Sequence, residues 1–266
     1  MPLALPDIYY TAIHASIKAS EAIMRVYENE IRSHYKYDGS PVTQADLISS
    51  GIIERALNET KIPILGEELE KQDFEIRNKW KENWCVDPLD GTKMFIQRNG
   101  EFCVNIAHIV EGKSVFGIIA APVNEQVLIG GPEYGVFCFS FADYDQPEKW
   151  DTLSQHQLNG NPRLICSRSY PNDYGMDYLH SYLNQGQEFE YIRKGSALKF
   201  FDLALGTADI YARFAPTMEW DIAAGQAILE CLGGKILNVH TNEALSYNKE
   251  SLFNPHFIAT TAALCE

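Results

Sequence analysis

Trp84-Cys85-Val86-Asp87-Pro88-Leu89-Asp90-Gly91-Thr92-Lys93 is the stretch on which the fold turns. Its first residues are apolar and few, as in a short buried strand that delivers Asp87 at its end. Pro88 bends the chain out of further pairing and Asp90 follows after one tight turn, so two carboxylates converge. Hard cations such as Mg²⁺ take oxygens in this arrangement. Gly91-Thr92-Lys93 then opens a short helix whose free N–H groups face an anion held at the same corner. The two aspartates suit turn formation and capping equally well, and the segment alone leaves both readings open.

The rest of the chain can bury a core around that corner. It has 266 residues, 45% hydrophobic and 22% charged, which excludes a disordered or fibrous protein. Twenty-two Lys and Arg against 36 Asp and Glu give a net charge of −14, and such a surface repels a nucleic-acid backbone. No nucleic-acid partner is expected. A small anion is still admitted, because one metal site or a few local cations reverse the field inside a cleft. No apolar run reaches the ~20 residues of a membrane span. The closest approach, 116–123, is short and contains Pro122. Residues 1–7 carry neither a basic nor an apolar leader segment, so the chain reads as cytoplasmic, with docking on the inner membrane face left open. Cys85, Cys103, Cys138, Cys166, Cys231 and Cys265 are scattered in apolar settings without a CxxC pair, which suits buried free thiols.

Periodicity predicts helices over 7–31 and 43–59, separated by the turn-rich Tyr37-Asp38-Gly39-Ser40-Pro41. Strands follow at 62–65, 84–86, 102–110, 114–120, 126–129 and 135–139. A polar, aperiodic stretch at 142–161 divides an N-terminal α+β unit, 1–145, from a C-terminal α/β unit, 146–266. In the second unit strands at 163–166, 188–192 and 209–214 alternate with helices near 174–183, 196–205 and 221–232.

Other phosphate motifs fail on spacing. Two residues separate Asp87 from Asp90, whereas a haloacid-dehalogenase-type phosphatase needs one. Gly112-Lys113-Ser114 ends like a P-loop, but Ala107 stands where the first Gly is required. The seven histidines are dispersed without ligand spacing. Further acidic groups do fit the corner: Gly66-Glu67-Glu68 ends a strand, and Glu219-Trp220-Asp221 opens a helix. Asp221 also suits an N-cap, and Thr43-Gln44-Ala45-Asp46 has capping-box spacing.

Three blocks, Gly66-Glu67-Glu68, Asp87-Pro88-Leu89-Asp90-Gly91-Thr92 and Trp220-Asp221-Ile222-Ala223-Ala224-Gly225 with Gly233-Gly234, carry a family resemblance. In order and spacing they resemble the lithium-sensitive, magnesium-dependent phosphatases of the inositol monophosphatase superfamily. Finer blocks are similar to one branch, the 3′(2′),5′-bisphosphate nucleotidases of CysQ type. These are Ser40-Pro41-Val42-Thr43 with Asp46, Lys93, Arg98-Asn99-Gly100-Glu101-Phe102, Gly195-Ser196 with Leu198-Lys199-Phe200, Arg213 with Pro216-Thr217-Met218-Glu219, and Tyr247-Asn248-Lys249-Glu250.

The resemblance implies a mixed α/β fold, the layered αβαβα sandwich. It implies two or three Mg²⁺ ions held by Glu67, Asp87, Asp90, Asp221 and the carbonyl of Leu89, with Asp46 behind them. Glu67, with the Thr92 hydroxyl as relay and Asp90 as a second member, would prepare the attacking water, and Asp46 joins this catalytic set. Gly91, Thr92, Lys93, Ser196, Lys199, Arg213 and Asp221 would contact the substrate. That substrate would be a small nucleotide bisphosphate, adenosine 3′,5′-bisphosphate (PAP), hydrolysed to AMP and phosphate, with 3′-phosphoadenosine 5′-phosphosulfate (PAPS) as a second. Lithium and calcium are expected to inhibit. The alternatives are an inositol monophosphatase or fructose-1,6-bisphosphatase activity and, from another class, a non-catalytic metal-dependent anion-binding module. Met94 and Phe201-Asp202 depart from the branch pattern, and the oligomeric state is not assigned.

Overall fold

The computed structural model describes residues 5–37, 39–158, 160–168, 179 and 188–264. The chain opens with α1 (Asp7–Tyr27), whose buried stripe of Tyr9, Ala12, Ile13, Ser16, Ile17, Ser20 and Ile23 repeats every three to four residues. It ends four residues before the expected 31, because the Arg98 guanidinium donates to the carbonyls of Tyr27 and Asn29, both at 2.5 Å, and closes the last turn. Tyr37, Gly39 and Ser40 lie in a turn as expected, but the strands that flank it, β1 (Ser33–Tyr35) and β2 (Pro41–Thr43), pair as a hairpin that was not expected. Thr43 then caps α2 (Gln44–Asn58), its Oγ1 accepting the Ala45 N–H at 3.1 Å while Asp46 Oδ2 accepts the Thr43 N–H at 2.7 Å.

Seven strands form the larger sheet: β3 (Ile64–Gly66), β4 (Glu82–Asp90), β5 (Cys103–Val110), β6 (Lys113–Ala121), β7 (Gln126–Gly131), β8 (Gly135–Ser140) and β9 (Asp151–Leu153). Neighbours follow chain order, and β3 with β4 is the parallel pair. Both faces are buried, and alternation sorts the side chains. Trp84, Val86, Val104, Ile106, Phe116, Ile118, Val127 and Ile129 face the layer of α1 and α2, whereas Cys85, Cys103, Ala107, Ile109, Ile119 and Leu128 face the opposite way. Pro88 does not end β4 but interrupts it. Asp87 pairs with Asn105 and Asp90 with Cys103, so three steps on β4 match two on β5, the signature of a bulge. Ser49 of α2 donates to the Pro88 carbonyl at 2.6 Å and so satisfies a group that the ladder leaves free.

The smaller sheet has the order β11-β10-β12-β14-β13, from β10 (Arg163–Cys166), β11 (Glu190–Arg193), β12 (Ile210–Arg213), β13 (Lys235–Asn238) and β14 (Phe257–Thr260). Ile165, Tyr211, Phe257 and Ala259 face the interior layer, whereas Leu164, Ile210, Ala212 and Ile258 face outward with Leu179. The helix expected near 174–183 lies, apart from Leu179, outside the described residues. Two short helices follow β3 and β4: α3 (Phe74–Arg77), tied through Arg77 to Asn248 and Lys249, and α4 (Thr92–Ile96), which lines the cleft. Between the sheets run α5 (Lys199–Ala204) and α6 (Glu219–Cys231). Ile222, Ile228 and Leu229 of α6 are buried there, each contributing roughly 1.5–3 kcal/mol. A Cβ on Gly117 of β6 would lie 2.0 Å from the Ala224 carbonyl oxygen, so only a glycine lets α6 pack this close to the sheet. The described layers run helix, sheet, helix, sheet, in keeping with the αβαβα sandwich, and no helix of the described residues is long and apolar enough to cross a membrane.

Candidate active site

Three elements bring the acidic residues together. Glu67 follows β3 directly, its N–H still donating to the Val86 carbonyl at 3.0 Å, so it stands beside the end of β4. The bulge turns Asp87 and Asp90 of β4 to the same side. Asp221 is the third residue of α6, and its Oδ2 accepts the Met218 N–H at 2.8 Å. It therefore serves as a cap and as a member of the cluster. Glu219, fully buried, fixes that helix start by accepting the Asn248 N–H at 2.6 Å and Lys249 Nζ at 2.5 Å.

One oxygen each of Asp87, Asp90 and Asp221 lies within 4.8 Å of the others. Burial, and then the charges of Glu67, Asp90 and Asp221, push the Asp87 carboxyl well above the carboxylate range. Asp221 is pushed up to about 8, by burial first and Asp90 second. Asp90 is raised by burial, opposed by the Lys199 charge and by the Ala197 N–H, which donates to its Oδ2 at 2.5 Å. Three crowded carboxyls, Asp87 buried and Asp90 and Asp221 half-buried, with no side-chain cation bonded to any of them among the described residues, fit a hard divalent cation that needs all-oxygen ligands.

Thr92 opens α4 beside this cluster. Its hydroxyl lies 2.9 Å from Asp46 Oδ1 and 3.2 Å from the Leu89 carbonyl. The expected Thr92 to Glu67 relay is absent from this geometry. Glu67 Oε1 instead receives Lys36 Nζ at 2.8 Å, and the same ammonium bonds Glu68. Gly91, at φ +96°, allows the turn into α4, where a Cβ would lie 2.8 Å from the Glu101 carbonyl.

The cleft above these groups has a volume of about 370 Å³. Of the residues singled out in the sequence, Glu67, Asp87, Leu89, Asp90, Gly91, Thr92, Lys93, Ser196, Lys199, Arg213 and Asp221 all line it, while Asp46 sits behind Thr92. Lys199 was expected as a substrate contact on the cleft wall, and it lines the cleft. It is 3% exposed, donates from Nζ to the Ser196 carbonyl at 2.5 Å and lies over the Tyr211 ring, and burial lowers its pKa to about 8. Its charge therefore reaches the cleft through space. Arg213 donates from Nη2 to the Pro216 carbonyl at 3.2 Å, and its buried Nε has no hydrogen-bond partner among the described residues.

Sequence reasoning missed several lining or supporting residues: Lys36, Asn105, Ser167 and Tyr211. Asn105 left a signal, being a buried amide within the apolar run of β5, and its Nδ2 donates to Asp90 Oδ2 at 3.3 Å. Met94 lines the cleft, with Sδ accepting from Asn99 Nδ2 at 2.9 Å.

Residues 5–265 match the profile of the inositol monophosphatase family. The chain belongs to that family. Members of this family are Mg²⁺-dependent, in keeping with the acidic cluster. Among curated family members, the chain is 39% identical over 249 residues to the 3′(2′),5′-bisphosphate nucleotidase CysQ of Salmonella typhimurium, covering 91% of this chain and 95% of that one. It is 37% identical over 254 residues to the CysQ nucleotidase of Buchnera aphidicola, covering 91% and 89%. The crystal structure of CysQ from Bacteroides thetaiotaomicron superposes with a TM-score of 0.83 at 37% identity, over 95% of this chain and 96% of that one.

Proposed function

We propose that the chain is a Mg²⁺-dependent phosphomonoesterase that removes the 3′-phosphate of adenosine 3′,5′-bisphosphate, giving AMP and phosphate, with PAPS as a second substrate. The observation that carries this is one cleft lined by both signs of charge. Asp87, Asp90 and Asp221 converge in it, and Lys199 and Arg213 line it beside them, where a second phosphate would complete the unpartnered Nε of Arg213. The curated relatives bear the name of a bisphosphate nucleotidase, in agreement with this charge distribution.

Glu67, Asp87, Asp90, Asp221 and the Leu89 carbonyl would hold two or three Mg²⁺ ions, which supply charge neutralisation at the phosphoryl group and acidify bound water. Thr92 donates to Asp46, which leaves its oxygen free to accept a hydrogen bond from the attacking water; as that water gives up its proton to Thr92 Oγ1, the Thr92 proton would pass to Asp46 Oδ1. Glu67 reaches the same water once it is free of Lys36. Lys93, exposed beside the cleft, and the Gly91 and Thr92 backbone face the transferred phosphate, and Ser196 lines the wall opposite. We take 1–145 and 146–266 as two units, each supported by its own sheet, with β9 returning to the first as an edge strand. We place the reaction in the cytoplasm, where the five described cysteines, all free thiols, stay reduced; contact with the inner membrane face would be peripheral.

The test is phosphate release with Mg²⁺ from adenosine 3′,5′-bisphosphate, AMP, inositol 1-phosphate and fructose 1,6-bisphosphate, each with and without lithium. Selective, lithium-sensitive hydrolysis of the first is expected. A preference for inositol or fructose phosphate would overturn the substrate assignment. Binding without turnover, unchanged in Glu67→Gln and Asp90→Asn, would overturn the enzymatic one.

A further inference from the structure

Glu101 stands in the turn between α4 and β5 and touches neither the acidic cluster nor the phosphate end of the cleft. Its side chain is only 15% exposed. Its carboxylate accepts the Gly195 N–H at 2.8 Å and Arg168 Nε–H at 2.6 Å on one oxygen, and Arg168 Nη2 donates to the other. The guanidinium holds this carboxyl below the usual range, so it stays an acceptor.

What Glu101 grips is the residue before a strained one. Ser196 has φ +51°, a left-handed conformation that a non-glycine residue keeps only when its surroundings over-determine it. The surroundings here are three charged side chains on three consecutive backbone units. Glu101 takes the Gly195 N–H, Lys199 Nζ donates to the Ser196 carbonyl, and Asp90 takes the Ala197 N–H. Two of these three, Asp90 and Lys199, come from the site itself, and Glu101 is the remaining support. Gly195 also packs directly against Met94 and Glu101, since a Cβ there would lie 3.0 Å from Met94 Cγ and 3.1 Å from Glu101 Cβ. The Ser196 hydroxyl accepts the Leu198 N–H at 3.3 Å and lines the cleft across from Gly91. Arg168 is 48% exposed, so the ion pair itself adds little stability, and its effect is to orient the carboxylate.

We propose that Glu101, oriented by Arg168, is a positioning residue that holds Ser196 in its left-handed conformation and so sets the wall against which the phosphorylated substrate lies. Ser196 as a substrate contact rests on the function proposed above, whereas the backbone clamp does not. The experiment therefore has two arms on the full chain. In the first, amide hydrogen exchange is compared in the parent and in Glu101→Ala. Exchange of the 195–198 amides should quicken at least about tenfold while β4 to β6 stay protected. In the second, KM and kcat for adenosine 3′,5′-bisphosphate are measured in a double-mutant cycle. Glu101→Ala and Ser196→Ala should each raise KM about tenfold with kcat within about threefold, and the double variant should be little worse than either, because both remove one positioned hydroxyl. Arg168→Met gives a milder variant of the same kind, with a KM rise of about threefold.

Exchange at 195–198 unchanged in both Glu101→Ala and Arg168→Met would overturn the clamp. Multiplying KM effects, about a hundredfold in the double variant, would overturn the coupling to Ser196. A parent that turned over inositol 1-phosphate but not the bisphosphate would overturn the substrate reading, with the exchange arm still deciding the clamp.

Discussion

Removing divalent cation should make this protein less stable as pH rises from 5 to 7. The cause is the Asp87, Asp90 and Asp221 cluster, in which burial and mutual repulsion raise all three carboxyls, Asp221 to about 8. An unfolded Asp ionises near pH ~3.9. Between pH 5 and 7 the folded chain thus keeps at least the Asp221 proton that the unfolded chain has already released. Stability is then present in full below the unfolded value and is lost as pH climbs toward the folded one. One such proton costs about 1.4 kcal/mol per pH unit, or about 2.7 kcal/mol over two units. At roughly 2–4 °C per kcal/mol for a chain of this size, Tm should fall by about 5–11 °C. His108 acts in the opposite sense, since burial lowers its pKa and its neutral form is favoured as pH rises through that value. It bonds Tyr9 and Glu82, away from the cluster, so the difference between Tm in saturating Mg²⁺ and in EDTA cancels it. Lys199, lowered to about 8, stays protonated in both states over this range. Scanning calorimetry in both conditions should show a Mg²⁺ gain that grows by about 5–11 °C from pH 5 to 7. An equal gain at both pH values would refute the reasoning, because the carboxylates would then ionise independently of one another. Asp221→Asn should lose most of the Mg²⁺ response and, at pH 7 in EDTA, be no less stable than the parent.

The remaining predictions concern single residues. Thr92→Val, which deletes the hydroxyl bonded to Asp46, should lower kcat by about 10²-fold or more, with Thr92→Ser near the parent value and the Mg²⁺ thermal shift kept in both. Gly117→Ala should lower Tm severely or prevent folding, since its Cβ would lie 2.0 Å from the Ala224 carbonyl of α6; a Tm within 2 °C of the parent would show that the helix moves freely. Arg163→Met should cost about 3 kcal/mol in urea unfolding, because Asp209, fully buried, would lose its two guanidinium bonds and keep only backbone and His156 partners.

The metal corner was legible because its residues are local. Asp87, Pro88, Leu89, Asp90, Gly91 and Thr92 fall in one run, and a strand end followed by a tight turn suffices to make them converge. Glu67 and Asp221 were legible by their places at a strand end and a helix start. The links between these residues were not, for a physical reason: each is a contact between layers that the chain reaches only after a long excursion. Ala197 to Asp90 spans 107 residues, Gly195 to Glu101 spans 94, and Lys36 to Glu67 spans 31. No local periodicity encodes such pairs. The same limit explains the missed strands β13 and β14, four residues each, which are strands because they pair with each other and with β12. It also explains the hairpin of β1 and β2, whose burial pattern lacks any amphipathic signal because β1 is wholly exposed. Lys199 lines the cleft as the resemblance implied, but only the fold shows that its ammonium is buried and bonded to the Ser196 carbonyl. The residues of the candidate site were thus visible one by one, whereas the residues that hold them in place became visible when the sheets were stacked. Substitutions of the cluster carboxylates should remove activity and the Mg²⁺ response together, whereas Glu101→Ala and Arg168→Met should raise KM and quicken exchange at 195–198 with kcat nearly kept.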